Sequence, residues 1–376
     1  MPREIFMPIK VWDYLKDYES EKDEVLSAIE KVFSSGRLIL GESGEAFEKA
    51  FAAYCQMKYG IGVDNATNAA TLALRSLGIG EGDEVITVPN TAVPTVSAIV
   101  TAGATPVFAD VDSDTLLMDM DALAKAITRK TRAIIPVHLY GQCVDMDSVL
   151  GLSKKHEIAV VEDVAQAHGA EYFGRKAGSM SHYSTFSFYP TKPLGTYGDG
   201  GMVLTNSEEL DKKMRRLRFY GMETAYYAEE HGYNSRLDEV HAEILLRKLK
   251  RLDAQNEKRI VLANRYQELL SDTALTLPVT PEGNKHVYYV YGVRHPQRDQ
   301  IMEELKKREI LLNISYPWPI HIMRGYSYLG YKAGDFPVAE KAANEIFSLP
   351  MYPGLTFEEQ DQVCVTLVEI LGAIHA

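Results

Sequence analysis

Three short stretches carry residue types whose spacing suggests chemistry. The first, FSFYPTKPLGTYGDGG at 186–201, sets Lys192 among Phe188, Tyr189, Pro190 and Pro193 and follows it with a glycine-rich turn. A lysine in a stiff apolar loop loses solvation, which lowers its pKa and frees the lone pair that a Schiff-base lysine needs. By frequency alone, a surface lysine in a turn is the commoner case. The second stretch, EDVAQAHGA at 162–170, brings the apolar run IAVV to an end at Asp163. At the carboxyl end of a strand in an open parallel sheet, such a carboxylate can face a ligand cation, although a helix cap uses the same residue type. The third, DNATNAATLALRSLG at 64–78, turns from a strand into an apolar helix. Ala66, Thr67 and Asn68 then supply amides and a hydroxyl at the positive end of a helix dipole, a ready phosphate site that looks locally like a simple cap. Together the three supply what pyridoxal phosphate needs: an acid for its pyridinium, a helix start for its phosphate and a lysine for its aldehyde.

Other constellations are weaker. GIGEGD at 78–83 has glycines at dinucleotide-like spacing, but it lies between a helix and the next strand, the reverse of the order that the fingerprint requires. The ten histidines form no HExxH, and neither a Walker A lysine nor a GxSxG elbow occurs. His138, His168 and His321 are candidates to line a pocket, though a histidine satisfied in the core is the commoner case. Arg37, Arg218 and Arg236 are candidate anion contacts by charge only, and surface pairing is the safer reading for each. Cys55, Cys143 and Cys364 lie far apart without a CxxC pair, which argues against a disulfide framework or zinc knuckle. A net charge of -12 without a basic stripe repels a nucleic-acid polymer.

These residues need a scaffold. At 376 residues the chain suits two domains. From residue 58, short β-branched runs alternate with helical segments up to IAVVEDVA, which predicts a mainly parallel sheet covered on both faces. STFSFYP and GGMVLTN read as strands joined by a loop, and that loop holds Lys192. The division is a large domain over 1–236, a linking helix over 237–271 and a small α+β domain over 272–376. The N-terminus lacks an apolar h-region, and no run approaches the roughly 18 apolar residues of a membrane span, so a cytoplasmic protein is expected.

SFYPTK followed by GDGG, with EDVAQAHGA upstream and NSRLDEVHAEIL downstream, closely resembles the DegT/DnrJ/EryC1/StrS family of pyridoxal-phosphate-dependent nucleotide-sugar aminotransferases. The likeness runs from SGRLILGESGEAFEKAFAAYC to SLPMYPGLT. VWDYLKDYESE, VDNATNAA, LNISYPWPIH and HVYYVYGVRHP are most similar to enzymes that aminate C3 of nucleotide-linked 3-keto-6-deoxyhexoses. The resemblance implies an α/β chain of pyridoxal-phosphate fold type I, like aspartate aminotransferase, with a mainly parallel seven-stranded sheet and a smaller C-terminal α+β domain. It implies a homodimer with shared sites that converts a dTDP-3-keto-6-deoxyhexose to the dTDP-3-amino-3,6-dideoxyhexose, with L-glutamate as amino donor. Carried over, it makes Lys192 the Schiff-base lysine and Asp163 the partner of the ring nitrogen, with Gln166 at the O3′ side. Ala66, Thr67 and Ser187 hold the phosphate within one subunit, and Asn234 reaches the phosphate of the neighbouring subunit.

The chain also departs from the family pattern. Ala66 stands where many relatives have Gly, and Ala92 where an aromatic stacks on the ring, leaving Val93 or Pro94 to pack there. Pro193 replaces a common Asn, and Ser315 a frequent histidine, in a segment expected near the sugar. Alternatives are amination at C4, a sensor of the same fold, and sugar dehydration, against which Lys192 counts because those relatives carry histidine there.

Overall fold

The computed structural model describes residues 8–375; residues 1–7 and 376, at the outer ends of the two domain assignments, lie outside the described residues. The chain opens with β1 (Ile9–Lys10), α1 (Tyr14–Ser35) and α2 (Glu42–Tyr54). Alternation then begins: β2 (Tyr59–Val63), α3 (Ala66–Ser76), β3 (Glu84–Thr87), α4 (Val93–Thr101), β4 (Thr105–Phe108), α5 (Met120–Ala126), β5 (Thr131–Ile134), α6 (Met146–His156) and β6 (Ala159–Asp163). A small hairpin, β7 (Glu171–Tyr172) and β8 (Arg175–Lys176), precedes β9 (Tyr183–Ser187), β10 (Gly201–Thr205) and α7 (Glu208–Leu217).

The main sheet has seven strands in the order β2-β10-β9-β6-β5-β3-β4. The pairings β4-β3-β5-β6-β9 are parallel, and β10 runs antiparallel to both of its neighbours. The α/β class and the mainly parallel seven-stranded sheet are therefore as expected.

Because strand side chains alternate between faces, adjacent apolar residues feed different cores. Ile86, Val160 and Met202 pack with Phe47, Phe51 and Phe186 on one face. Val85, Val161 and Val203 pack with Leu72 and Met214 on the other. Two buried faces explain why these strands read as continuous apolar runs.

After α7 come the short β11 (Met222–Thr224) and β12 (Tyr227–Ala228), then α8 (Glu239–Leu249) and α9 (Leu252–Leu270). The helix read over 237–271 is thus two helices. Lys250 and Arg251 turn back to the carbonyls of Arg247 and Lys248, and Lys248 and Arg251 pair with Glu21 on α1 at the break.

The remainder holds β13 (Asn284–Lys285), β14 (Tyr291–Arg294), α10 (Arg298–Lys307), β15 (Ile310–Leu311), α11 (Pro337–Glu345), β16 (Ile346–Leu349) and α12 (Phe357–His375). β14 pairs with β16, while β15 pairs with β1 from the other end of the chain. A separate core forms here around Tyr266, Tyr291, Phe347 and Leu367, and Ile9 packs into it. The alternating pattern of HVYYVYGVRHP yields a strand only from Tyr291. Val287 and Val290 instead donate backbone hydrogen bonds to Gly141 and Tyr140, at 2.9 and 3.3 Å. Among the described residues no helix is long and apolar enough to cross a membrane.

Candidate active site

A cavity of about 260 Å³ opens at the carboxyl ends of the parallel strands, lined by Ala66, Thr67, Asp163, Gln166, Ser187 and Lys192 among others. Six residues singled out in the sequence therefore meet at one place, although 126 positions separate Ala66 from Lys192.

Each is positioned by a local device. Asn65 caps α3 by accepting the Asn68 N–H at 2.8 Å, so the first-turn amides around Ala66 and Thr67 keep their electropositive character. Gly201 at the start of β10 lies against this turn, where any Cβ would come within 2.5 Å of the Asn65 carbonyl carbon. Only glycine permits that approach.

Asp163 closes β6, with its N–H on Pro136 O and its carbonyl accepting from His138 N, both at 3.0 Å. The Thr95 hydroxyl donates to its Oδ2 at 2.8 Å, and the Ala165 N–H donates to Oδ1 at 3.1 Å. Thr91 lies 3.0 Å from the Thr95 hydroxyl. Since Thr95 spends its proton on Asp163, Thr91 is the donor of that pair, and the chain of hydroxyls fixes the orientation of the Asp163 side chain.

On the opposite side of β6, Glu162 is fully buried and accepts four hydrogen bonds: from His138 Nε2 (3.0 Å), the Gly178 N–H (2.8 Å), the Met180 N–H (2.9 Å) and the Ser181 hydroxyl (2.8 Å). The Val144 N–H donates to His138 Nδ1, which leaves Nε2 as the protonated nitrogen. Burial alone pushes the Glu162 carboxyl up, yet its hydrogen bonds, led by His138, bring it below its ordinary value.

Gln166 is clamped: its Oε1 accepts from the Tyr140 N–H at 2.7 Å, and its Nε2 donates to the Tyr316 hydroxyl. The segment holding Tyr316 is tied to the large domain by Ile320 N–H on Pro89 O (2.8 Å) and by the Ser97–Tyr326 hydroxyl pair (3.0 Å). Lys192 projects from the 188–200 connection, its Nζ 4.6 Å from the centroid of Tyr289, whose hydroxyl is 3.0 Å from that of Thr191. Gly195 allows the loop to fold on itself, because a Cβ there would sit 2.6 Å from Pro190 O.

Other sequence candidates lie elsewhere. Asn234 is exposed and outside the cavity lining. His138 serves Glu162, His168 is enclosed by Phe51, Phe186 and Phe188, and His321 pairs with Glu340 at 3.0 Å. Arg218 is buried on Glu48, Arg236 stacks on Phe219 and Tyr220, and Arg37 is exposed. Ala92 and Pro94 line the cavity, whereas Val93 faces outward, so of the two proposed substitutes for a stacking aromatic only Pro94 is in place. Ser315 bonds Ser348 at 3.0 Å.

Sequence reasoning did not find Glu162, Thr95, Tyr140 or Tyr316. Glu162 left a signal: beside a ligand-facing Asp163 its side chain must point to the other face, where a carboxylate needs donors.

The donor set fits pyridoxal phosphate. A helix start, Ser187, a carboxylate oriented by two donors and a lysine line the cavity, and Ala70, Ala92, Ala165 and Gly200 leave room for a flat ring.

Comparison with known proteins agrees with this geometry. Residues 19–368 match the model of the DegT/DnrJ/EryC1/StrS aminotransferase family. The chain is 54% identical over 374 residues, 98% of its length and 100% of the relative's, to a dTDP-3-amino-3,4,6-trideoxy-alpha-D-glucose transaminase of Micromonospora megalomicea subsp. nigra. It superposes with a TM-score of 0.95 on the crystal structure of S. venezuelae DesV in complex with a ketimine intermediate, at 40% identity and covering 96% and 98% of the two chains. NtdA from Bacillus subtilis, solved with bound cofactor PMP, matches with a TM-score of 0.88 at 30% identity, covering 94% and 82%.

Proposed function

The chain belongs to the DegT/DnrJ/EryC1/StrS aminotransferase family, and on that premise we propose that it uses pyridoxal phosphate to move an amino group from L-glutamate to a nucleotide-linked keto-deoxyhexose. The substrate is a dTDP-3-keto-6-deoxyhexose and the product a dTDP-3-amino-3,6-dideoxyhexose, a reading supported by the transaminase name of the 54% identical relative. The working unit is a cytoplasmic homodimer in which Asn234 contributes to the neighbouring subunit's phosphate site. The large domain over 1–236 carries the cavity, and the segment from 272 onward meets it through Tyr316, which bonds Gln166. The observation that carries the reading is the convergence of Lys192, Asp163 and the start of α3 on one cavity.

When bound, the cofactor supplies an aldehyde that takes up the amino group and a ring that accepts the electron pair left as the donor carbon loses its proton. Lys192 Nζ would hold the aldehyde and, once freed by the donor amine, would take the proton from the donor carbon and deliver it to the former aldehyde carbon, as general base and then acid. Asp163, oriented by Thr95 and the Ala165 N–H, would face the ring nitrogen and favour a proton there. The α3 amides with the Thr67 and Ser187 hydroxyls would hold the phosphate, and Gln166, held by Tyr140 and Tyr316, would orient the O3′ side.

The test is the visible spectrum with added pyridoxal phosphate, before and after L-glutamate, for wild type and Lys192→Ala. A yellow band that glutamate bleaches in wild type and that lacks its lysine-linked form in the variant is expected. A band that glutamate leaves unchanged would reject glutamate as donor, and turnover of a 4-keto but not a 3-keto sugar would move the reaction to C4.

A further inference from the structure

Behind the loop that carries Lys192 lies a second cavity, of about 230 Å³, between α1, the 190–195 loop and the α8–α9 junction. Leaving Lys192 aside, five basic residues line it, Lys16, Lys248, Arg251, Lys258 and Arg259, against two acids, Asp17 and Glu21. That balance is reversed from a chain whose net charge is -12.

Three of the five cations are matched. Lys16 pairs with Glu359, and Lys248 and Arg251 pair with Glu21, Arg251 also with Glu24. Among the described residues, neither Lys258 nor Arg259 has a carboxylate partner. Arg259 is the telling case, being only 7% exposed. Its Nη1 reaches Asn256 Oδ1 at a marginal 3.5 Å, and its Nε has no partner at all. Burial pulls its pKa down to about 10, so it remains charged at neutral pH. Asp17 is the nearest source of negative charge, but its carboxylate is engaged by Trp12 Nε1 at 2.7 Å, and burial raises its pKa.

The start of α9 borders the same space, with Leu252 and Gln255 in the lining and no side-chain cap on the helix. A buried guanidinium costs several kcal/mol unless a charge or good acceptors meet it. An uncapped helix start adds partial positive charge of the same sign.

We propose that this second cavity binds a small oxyanion, a carboxylate or a phosphate, through Arg259 and Lys258, and that its occupancy braces the 190–195 loop from behind. The loop forms a wall of both cavities, so an anion here is felt at Lys192 without entering the cofactor site.

The experiment is calorimetric titration of holoenzyme whose cofactor has been reduced onto Lys192 with borohydride, so that the first cavity stays filled. Inorganic phosphate and glutarate are titrated separately. Saturable binding of at least one anion is expected, weakened about tenfold or more in Arg259→Gln and several-fold in Lys258→Gln, as loss of a charged hydrogen-bond donor implies. Preference for phosphate assigns the site to phosphate or a phosphate-bearing ligand; preference for glutarate assigns it to dicarboxylates of the amino donor's class. Absence of saturable binding of either anion at millimolar concentration overturns the proposal, as does binding that both variants leave unchanged. Should Arg259→Gln fail to fold, the exposed Lys258 decides alone. Should the chain take up no cofactor, that failure counts against the proposed transamination, and the same variants compared on unloaded protein still test the anion site.

Discussion

On the cofactor side of the 190–195 loop, Asp163 accepts two hydrogen bonds and Gln166 is held at both ends of its amide, and behind them, on the other face of β6, Glu162 accepts four. On the far side, Arg259 Nε and Gln255 Oε1, in two residues that line the second cavity, are buried without partners. Groups of the first kind have their geometry set before a ligand arrives, which is how a site reduces reorganisation during reaction. Groups of the second kind leave desolvation uncompensated until something binds. The contrast teaches that one wall of the loop is built to hold chemistry still and the other to respond.

The comparison is broken most severely at the residue between the two cavities. Lys192→Ala is expected to lower turnover by about 10⁴-fold or more, since it removes both the anchor and the proton carrier, while the thermal unfolding midpoint without cofactor stays near wild type. Glu162→Ala attacks the bonded support behind the cofactor wall, on the other face of β6. Leaving His138 and three further donors without their acceptor should cost about 3–5 kcal/mol in urea unfolding. Because the Glu162 pKa is lowered from its ordinary 4.5, its stabilisation is present above that value and is lost as pH falls below it; the variant's stability should therefore depend less steeply on pH in that acid range.

His168 sharpens the same contrast through pH. Burial, and then the charge of Lys192, push its pKa from 6.5 to about 3. Between these values the unfolded chain takes up a proton that the folded one refuses, so stability falls as pH drops from 6.5. The slope approaches about 1.4 kcal/mol per pH unit, and His168→Gln should remove it in unfolding measured between pH 6.5 and 5. The smallest effect is expected at Thr95→Val, which deletes one hydrogen bond to a carboxylate that remains bonded to Ala165 N–H. Cofactor affinity should weaken by about tenfold, read as a dissociation constant by fluorescence, and Thr95→Ser should restore most of it. An unchanged affinity in Thr95→Val would remove Thr95 from the wall.

Much of the fold could be read directly. β-α alternation from residue 58 predicts a parallel sheet because strands buried on both faces must be apolar at successive positions, as Val160 and Val161 are. The loop between β9 and β10 was equally legible, since its prolines and glycines exclude a helix. The break between α8 and α9 was not: no proline or glycine marks it, and it is accompanied by ion pairs from Lys248 and Arg251 to Glu21, more than 220 residues away in sequence. The shortness of the strand at Tyr291 was hidden for the same reason, because Val287 and Val290 give their amides to Gly141 and Tyr140 rather than to a sheet neighbour.

By itself the sequence determined the chemistry that the chain carries: a lysine in a constrained loop, an acid at a strand end, a polar helix start, and the order of elements that presents them. Those are local matters, set by residue type, periodicity and turn preference. Only the tertiary structure decided which groups support them. Thr95 reaches Asp163 across 68 positions, Tyr316 reaches Gln166 across 150, and Arg259 comes to lie behind the lysine loop with its charge unmatched. Such partnerships depend on how buried polar groups are satisfied once the layers have packed, and no local pattern encodes that.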